Sequence, residues 1–385
     1  MNRAEEFAAK LKRVRDYLQR EEASGLLLRS RSNLAWLGSG PDDGTPFEHV
    51  QGSRSEVWWQ SDTGVLAFVV TANVVVLVAE NIELPRLTRD EFAGLPIEVL
   101  VQPWHESDLA SALADVLDDG GVVLTDLAEV SLADKCACLE LELRDDREKI
   151  AGLRASLLPR ELSRYRWLGL HTAEVMTEVC KQIKPGMREV EVVAESHFRL
   201  RRLGIGQEVD IVCADDRLQV DRHALYGDRP IDRVAMVVFC AHKWGLVANL
   251  TRMVNIGEVP EALASRHAEL TNLDDGLMRA SRPGAALRDI FTGVIEPGYA
   301  AIGASGEWRN HHQGGSTGYS GRDQRVTPTT VGTVQPNQAF AWNPSLPGLK
   351  TEDTFVALMD GPEILTTDSF WPVYEESGRA RILSL

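Results

Sequence analysis

Ile183-Lys184-Pro185-Gly186-Met187-Arg188-Glu189-Val190 and Ser281-Arg282-Pro283-Gly284-Ala285-Ala286-Leu287-Arg288 carry the same punctuation in the same kind of setting. Helical periodicity from about Leu162 to Ile183 runs into the first Pro-Gly, and a second helix is predicted from about Arg188 to about Arg202. Proline lacks an amide hydrogen and glycine tolerates the left-handed backbone, so together they stop one helix and let the chain begin another. The pattern returns where a helix from about Ala264 to Ala280 meets Pro283-Gly284 and Leu287–Phe291 opens the next helical segment. Two helix-Pro-Gly-helix units roughly one hundred residues apart point to an internally duplicated α+β domain.

Upstream the pattern changes. Phe7, Leu11, Val14 and Leu18 recur at one-turn spacing and predict an amphipathic helix over residues 5–20 whose apolar stripe packs into a core. The runs Gly25–Leu28, Val65–Val70, Val74–Val78, Ile97–Val101 and Val122–Leu124 are short, branched and bounded by turns, as expected of α/β strands. Thr71-Ala72-Asn73 is placed as a hairpin connection, and Asp108–Leu117 as a helix ended by Gly120 and Gly121. The expected organisation is an α/β domain over residues 1–155, a connector near Ala151–Arg160, and a second domain over 156–385. None of the N-terminal glycines forms the phosphate-cradling pattern after a strand, so that domain is given a structural or substrate-covering role.

The 385 residues are 44% apolar, enough for two large cores. With 41 basic and 57 acidic residues, the net charge of -16 disfavours nucleic acid and anionic membrane surfaces and favours a small molecule or short peptide as partner. Cys136, Cys138, Cys180, Cys213 and Cys240 form no disulfide framework, and Cys136 with Cys138 reads as helix or turn positions. The start of the chain carries no signal-peptide apolar region and no later run is long enough to span a bilayer, so cytoplasmic residence is the default expectation.

Specific segments then point to one family. Trp244-Gly245-Leu246-Val247-Ala248-Asn249-Leu250-Thr251-Arg252 resembles the GYxxDxTR segment of the creatinase, prolidase and aminopeptidase P family, and Thr351-Glu352-Asp353-Thr354 resembles its terminal RxEDT strand. Lys184-Pro185-Gly186 is similar to the family's turn before its next helix, and Ser32-Asn33-Leu34-Ala35-Trp36-Leu37-Gly38-Ser39-Gly40 to a near-strand segment of its first domain. The resemblance spans nearly the whole chain. It implies an α/β N-terminal domain followed by an α+β pita-bread domain with internal pseudo-twofold duplication, and a homodimer.

The resemblance also implies a site of two aspartates, one histidine and two glutamates around paired divalent metals, where bridging carboxylates and a nucleophilic hydroxide do the chemistry. In this sequence Val238 stands at the first aspartate position, Asn249 at the second and Asn343 at the first glutamate, while Glu352 survives. His312 in Asn310-His311-His312-Gln313-Gly314-Gly315 matches the histidine, with His311 as an alternative register. Valine and neutral amides cannot replace bridging carboxylates. The expectation is therefore a site with no metal and no cofactor.

By resemblance to creatinase, His312 is assigned proton transfer, Glu352 orientation or charge stabilisation, and His223 a contact to a substrate carbonyl. His311, Asn249 and Asn343 are placed around the substrate, Arg309 and Arg322 at a substrate carboxylate, and Phe239, Trp308 and Trp342 as aromatic walls. The leading expectation is a metal-independent, creatinase-like hydrolase cleaving a C–N bond in a small amide, amidine or modified amino acid. The alternatives are a lyase or rearrangement enzyme, a divergent Xaa-Pro aminopeptidase, and a non-catalytic peptide-binding module.

Overall fold

The computed structural model describes residues 1–38, 40, 63–117 and 120–385. The chain divides into two compact units, Met1–Ala155 and Ser156–Leu385.

The first unit begins with helix α1 (Arg3–Arg20), started by a capping box in which the Glu5 amide donates to Asn2 Oδ1 at 2.8 Å and the Asn2 amide to Glu5 Oε2 at 2.9 Å. Its stripe of Phe7, Leu11, Val14 and Leu18 is buried. Strand β1 (Gly25–Ser30) leads into helix α2 (Arg31–Leu37), and strands β2 (Thr63–Val70), β3 (Val75–Glu80) and β4 (Glu98–Gln102) follow. Helix α3 (Leu109–Val116), strand β5 (Gly121–Thr125), helix α4 (Val130–Ala137) and strand β6 (Leu141–Asp145) complete the main elements. The strands form one mixed sheet in the order β4-β3-β2-β1-β5-β6. Thr71 closes the β2–β3 hairpin by donating its amide to Val74 O at 2.9 Å.

Three readings of this half are corrected. The segment from Ser32 is helical, because Asp126 collects the amides of Arg29 and Ser30 and the Asn33 side chain at 2.7–3.0 Å and so fixes a helix start immediately after β1. Ser39 of that motif lies outside the described residues. Strand β6 goes unread because Leu141-Glu142-Leu143-Arg144-Asp145 is largely charged, yet its backbone pairs in parallel with β5. Within Ala151–Arg160, the expected connector, Ala151–Leu153 is the end of a short helix, Arg147–Leu153.

In the second unit the helices are α5 (Pro159–Cys180), α6 (Glu189–Arg202) and α7 (Glu261–Ala280). One sheet has the order β15-β9-β8-β7, built from β7 (Gly206–Ala214), β8 (Val234–Lys243), β9 (Leu246–Asn255) and β15 (Leu383–Ser384). The other has the order β11-β10-β12-β13-β14, from β10 (Gly314–Thr317), β11 (Gln324–Arg325), β12 (Gln338–Trp342), β13 (Asp353–Leu358) and β14 (Gly361–Ile364). The two Pro-Gly turns are built alike. Gly186 (φ 80°) donates its amide to Ile231 O, and Gly284 (φ 88°) donates its amide to Val334 O, at 2.9 and 2.8 Å. Each turn thus stitches a helix pair to extended chain further along, which is the structural content of the duplication.

A core of Met236, Val238, Leu270, Leu277, Phe291, Phe340, Trp342 and Phe355 fills this unit, and each such large side chain contributes roughly 1.5–3 kcal/mol. Asn249 ties the sheets together: its amide donates to Thr354 Oγ1 at 2.7 Å, and that hydroxyl donates back to Asn249 O at 2.9 Å. Gly314 (φ 94°) lets β10 press against β12, since a Cβ there would lie 2.2 Å from Ala341 O. Gly314→Ala is expected to destabilise the protein by about 2 kcal/mol or more through backbone strain and this clash, measured by urea denaturation.

Candidate metal centre

Three histidines converge at one end of a pocket in the second unit. His311 and His312 follow a 3-10 turn over Glu307–Asn310 and precede β10, while His223 lies between β7 and β8. The turn is pinned by Gln313, whose Oε1 accepts the Tyr299 hydroxyl at 2.8 Å while its Nε2 donates to His311 O at 2.7 Å. The imidazoles of His311 and His312 stack at 4.4 Å between centroids, and His223 stands edge-on to His311 at 4.7 Å. His311 Nε2 and His223 Nε2 are 2.9 Å apart. The buried Nδ1 atoms of His311 and His312 have no hydrogen-bond partner.

The pocket encloses about 530 Å³. Of the residues singled out in the sequence, His223, His312, Asn249, Asn343, Arg322 and Glu352 line it, with Val238, and His311 reaches it through His223. The aromatics do not line it. Phe239 is buried and alternates with the pocket-facing Val238 and Cys240 along β8. Trp342 lies in the core and donates Nε1 to Ser281 Oγ at 2.9 Å. Trp308 packs edge-to-face on Phe291, and the exposed Arg309 stacks over Trp308 at 4.2 Å.

Glu352 is nearly inaccessible, yet ionised. Its Oε1 accepts from Arg322 Nη2 at 2.7 Å, and its Oε2 from Thr251 Oγ1 and Lys350 Nζ at 3.0 Å. Burial alone would raise its carboxyl, but Lys350 and Arg322 outweigh it and hold the group down to about 2. Burial, then Lys350, pushes His311 down to about 2, and burial, then Arg322 and Lys350, pushes His312 down to about 4. His223 is lowered by burial and Lys350. At neutral pH these are uncharged imidazoles with lone pairs to offer.

Lys350 is the residue that sequence inspection passes over. It sits two positions before Glu352 in extended chain, so both project to one side, and that spacing was a usable signal. Arg325, Cys240, Glu208 and Asp210 also line the pocket without a local pattern to reveal them.

The expectation of a metal-independent, creatinase-like hydrolase is overturned by the histidine cluster. One ring nitrogen from each of His223, His311 and His312 lies within 4.8 Å of the others, a group that can hold a metal ion. Treating His311 and His312 as alternatives for one position conceals that the chain uses both. Three neutral imidazoles suit a borderline cation such as Zn²⁺ and leave a position open. The non-metallo enzyme class falls with that expectation. A paired-metal, carboxylate-bridged arrangement does not fit, since Val238, Asn249 and Asn343 offer no carboxylate and both Glu352 oxygens are taken by cations.

Comparison with known proteins bears on the frame that carries this cluster. The profile of metallopeptidase family M24 matches residues 164–360. A search of curated proteins gives no match. Among solved structures, an Xaa-Pro dipeptidase from Bacillus anthracis superposes with a TM-score of 0.78 at 15% identity, covering 98% of this chain and 100% of that one. Dipeptidase PepE from Mycobacterium ulcerans gives 0.76 at 17% identity, covering 99% of each chain. The N-terminal domain of the FACT complex subunit SPT16 from Cicer arietinum gives 0.68 at 12% identity, covering 95% and 97%. These likenesses show the two-domain pita-bread fold. No helix among the described residues is long and apolar enough to cross a membrane.

The depressed histidines make a pH prediction. His311 and His312 stay neutral in the fold but protonate on unfolding below their ordinary 6.5, so their contribution to stability is complete above that value and is lost as pH falls toward the folded values. With chelator present, the urea midpoint of the wild type is expected to drop between about pH 7 and about pH 5 more steeply than that of His311→Gln. Parallel curves would contradict a buried, neutral His311.

Proposed function

The chain belongs to metallopeptidase family M24, and from that premise we propose that it is a divergent, metal-dependent peptidase of the Xaa-Pro type, using one divalent cation held by His223, His311 and His312. The observation that carries this reading is the convergence of their ring nitrogens within 4.8 Å at the pocket. The likeness to an Xaa-Pro dipeptidase suggests the substrate class, short peptides with proline after the first residue.

When bound, such a cation supplies Lewis acidity toward a carbonyl oxygen. The protein's own groups are arranged around that end of the pocket. Asn249 gives Nδ2 to Thr317 Oγ1 at 3.0 Å and keeps Oδ1 unpartnered, and Asn343 Oδ1 is likewise unpartnered, so both amides offer acceptors for substrate N–H groups. Glu352, held down to about 2 and engaged on both oxygens, is a poor proton acceptor at neutral pH; it fixes Lys350 and Arg322. His312 lines the pocket, where its neutral ring orients what enters.

The test is metal stoichiometry with turnover. Protein stripped with chelator and reloaded with Zn²⁺ or Co²⁺ is expected to bind one equivalent, to show the visible absorption of a nitrogen-ligated cobalt site, and to lose both in His311→Ala. Release of proline from alanyl-proline is expected to stop on chelation and return with metal. Turnover indifferent to chelation, two equivalents bound, or binding of cation and dipeptide without product each refutes the reading.

A further inference from the structure

We infer that a second, smaller pocket, which shares Lys350 with the histidine pocket, binds one chloride ion. Its polar lining is Arg222, Ser345, Lys350 and Asp221, and its walls are the apolar side chains of Leu218, Met236, Leu346 and Leu349. The centre of a water-sized sphere can range over about 10 Å³ inside it, enough to seat one such particle and, with less freedom, the slightly larger chloride. Binding there calls for neither metal nor peptide, so it stands apart from the peptidase reading.

The donors around this space sit on fixed backbone. Ser345 and Lys350 are directly opposed in a short antiparallel ribbon, Ser345–Leu346 with Leu349–Lys350, so their side chains project from the same face. The ribbon is tied down twice: the Ser345 amide donates to the Tyr299 hydroxyl at 2.9 Å, and the Gly348 amide at the turn donates to Leu218 O at 2.7 Å. Arg222 is held by an ion pair from Nη2 to Glu307, which leaves its Nη1 buried without a hydrogen-bond partner. Ser345 Oγ is likewise buried and unpartnered, in a residue only 5% exposed. Lys350 is paired with Glu352 Oε2 at 3.0 Å, which occupies one of its three N–H groups.

Buried polar groups left unsatisfied by the protein mark a bound water or ion. A guanidinium and an ammonium can only donate, so the occupant accepts from both and from the serine hydroxyl. A water molecule accepts twice and then has two hydrogens of its own to place. A halide accepts from all three donors and presents no hydrogen to the apolar walls. Asp221, the carboxylate of the lining, has a side chain 43% exposed and accepts Arg217 Nε at 3.2 Å, so solvent and that guanidinium screen its charge. Room for a single small sphere excludes phosphate and sulfate, and leaves chloride as the halide a cell supplies in quantity.

The experiment uses the whole chain stripped of metal with chelator, with gluconate replacing halide at constant ionic strength. Added NaCl is expected to stabilise the protein along a saturating curve, lowering the unfolding constant about elevenfold at ten times the dissociation constant, and NaBr to act alike. Crystals soaked in NaBr are expected to show a bromine anomalous peak between Arg222, Ser345 and Lys350. Ser345→Ala, short of one donor, is expected to bind chloride about three- to tenfold more weakly. Ser345→Val, which also fills the space, is expected to lose both the stabilisation and the peak; should it fail to fold, Ser345→Ala decides the matter. An ordered water where bromine is expected, a peak with no halide-dependent stability in solution, or a chloride response unchanged in the serine variants each overturns the inference.

Discussion

The pocket depends on a carboxylate held between two cations. An ionised Glu352 with 1% exposure persists because Lys350, Arg322 and Thr251 satisfy its oxygens. The same segment joins the sheets, since the Thr251 amide donates to Glu352 O at 3.0 Å. Its two cations also bear on the histidines: Lys350 opposes protonation of all three, and Arg322 that of His312. One buried charge thereby fixes the backbone, withdraws a carboxylate from ligation and helps keep three imidazoles in ligating form.

A second buried network lies immediately beyond it. Asp353, the next residue, receives Arg252 Nη2 at 2.8 Å and Arg379 Nη2 at 3.0 Å, and Arg379 also reaches Asp274 on α7 at 2.5 Å. Neighbouring acids at the start of β13 project to opposite sides and serve opposite ends: Glu352, just before the strand, organises the pocket, and Asp353, its first residue, secures the strand to the helix behind it. Removing one partner from such a network leaves a buried charge uncompensated, so each constrains the other's position.

The fold was legible where local chemistry dictates backbone. Pro-Gly turns at Gly186 and Gly284 announce themselves because left-handed backbone favours glycine, and the alternating Thr71-Ala72-Asn73 region reads as a hairpin from its flanks. Helix α2 and strand β6 were not legible, since the first is imposed by Asp126 from far along the chain and the second by its neighbour's backbone. The site divides the same way. That Val238, Asn249 and Asn343 supply no carboxylate stands in the sequence, but the convergence of His223 with the His311–His312 pair is made by tertiary folding across an interval of 88 residues between His223 and His311. Phe239 and Trp342 were misplaced as pocket walls because proximity in sequence does not specify which face of a strand a side chain takes.

The grip of Lys350 and Arg322 on Glu352 also bears on how such a site can change over generations. Asn249 and aspartate differ by the exchange of one heavy atom, so a further carboxylate could enter the pocket in a small step. Each such anion, however, would add negative charge to a lining in which Glu352 already holds Lys350 and Arg322. Losing either cation leaves the buried Glu352 with one cationic partner and the Thr251 hydroxyl in place of two cations, so its charge is less well compensated.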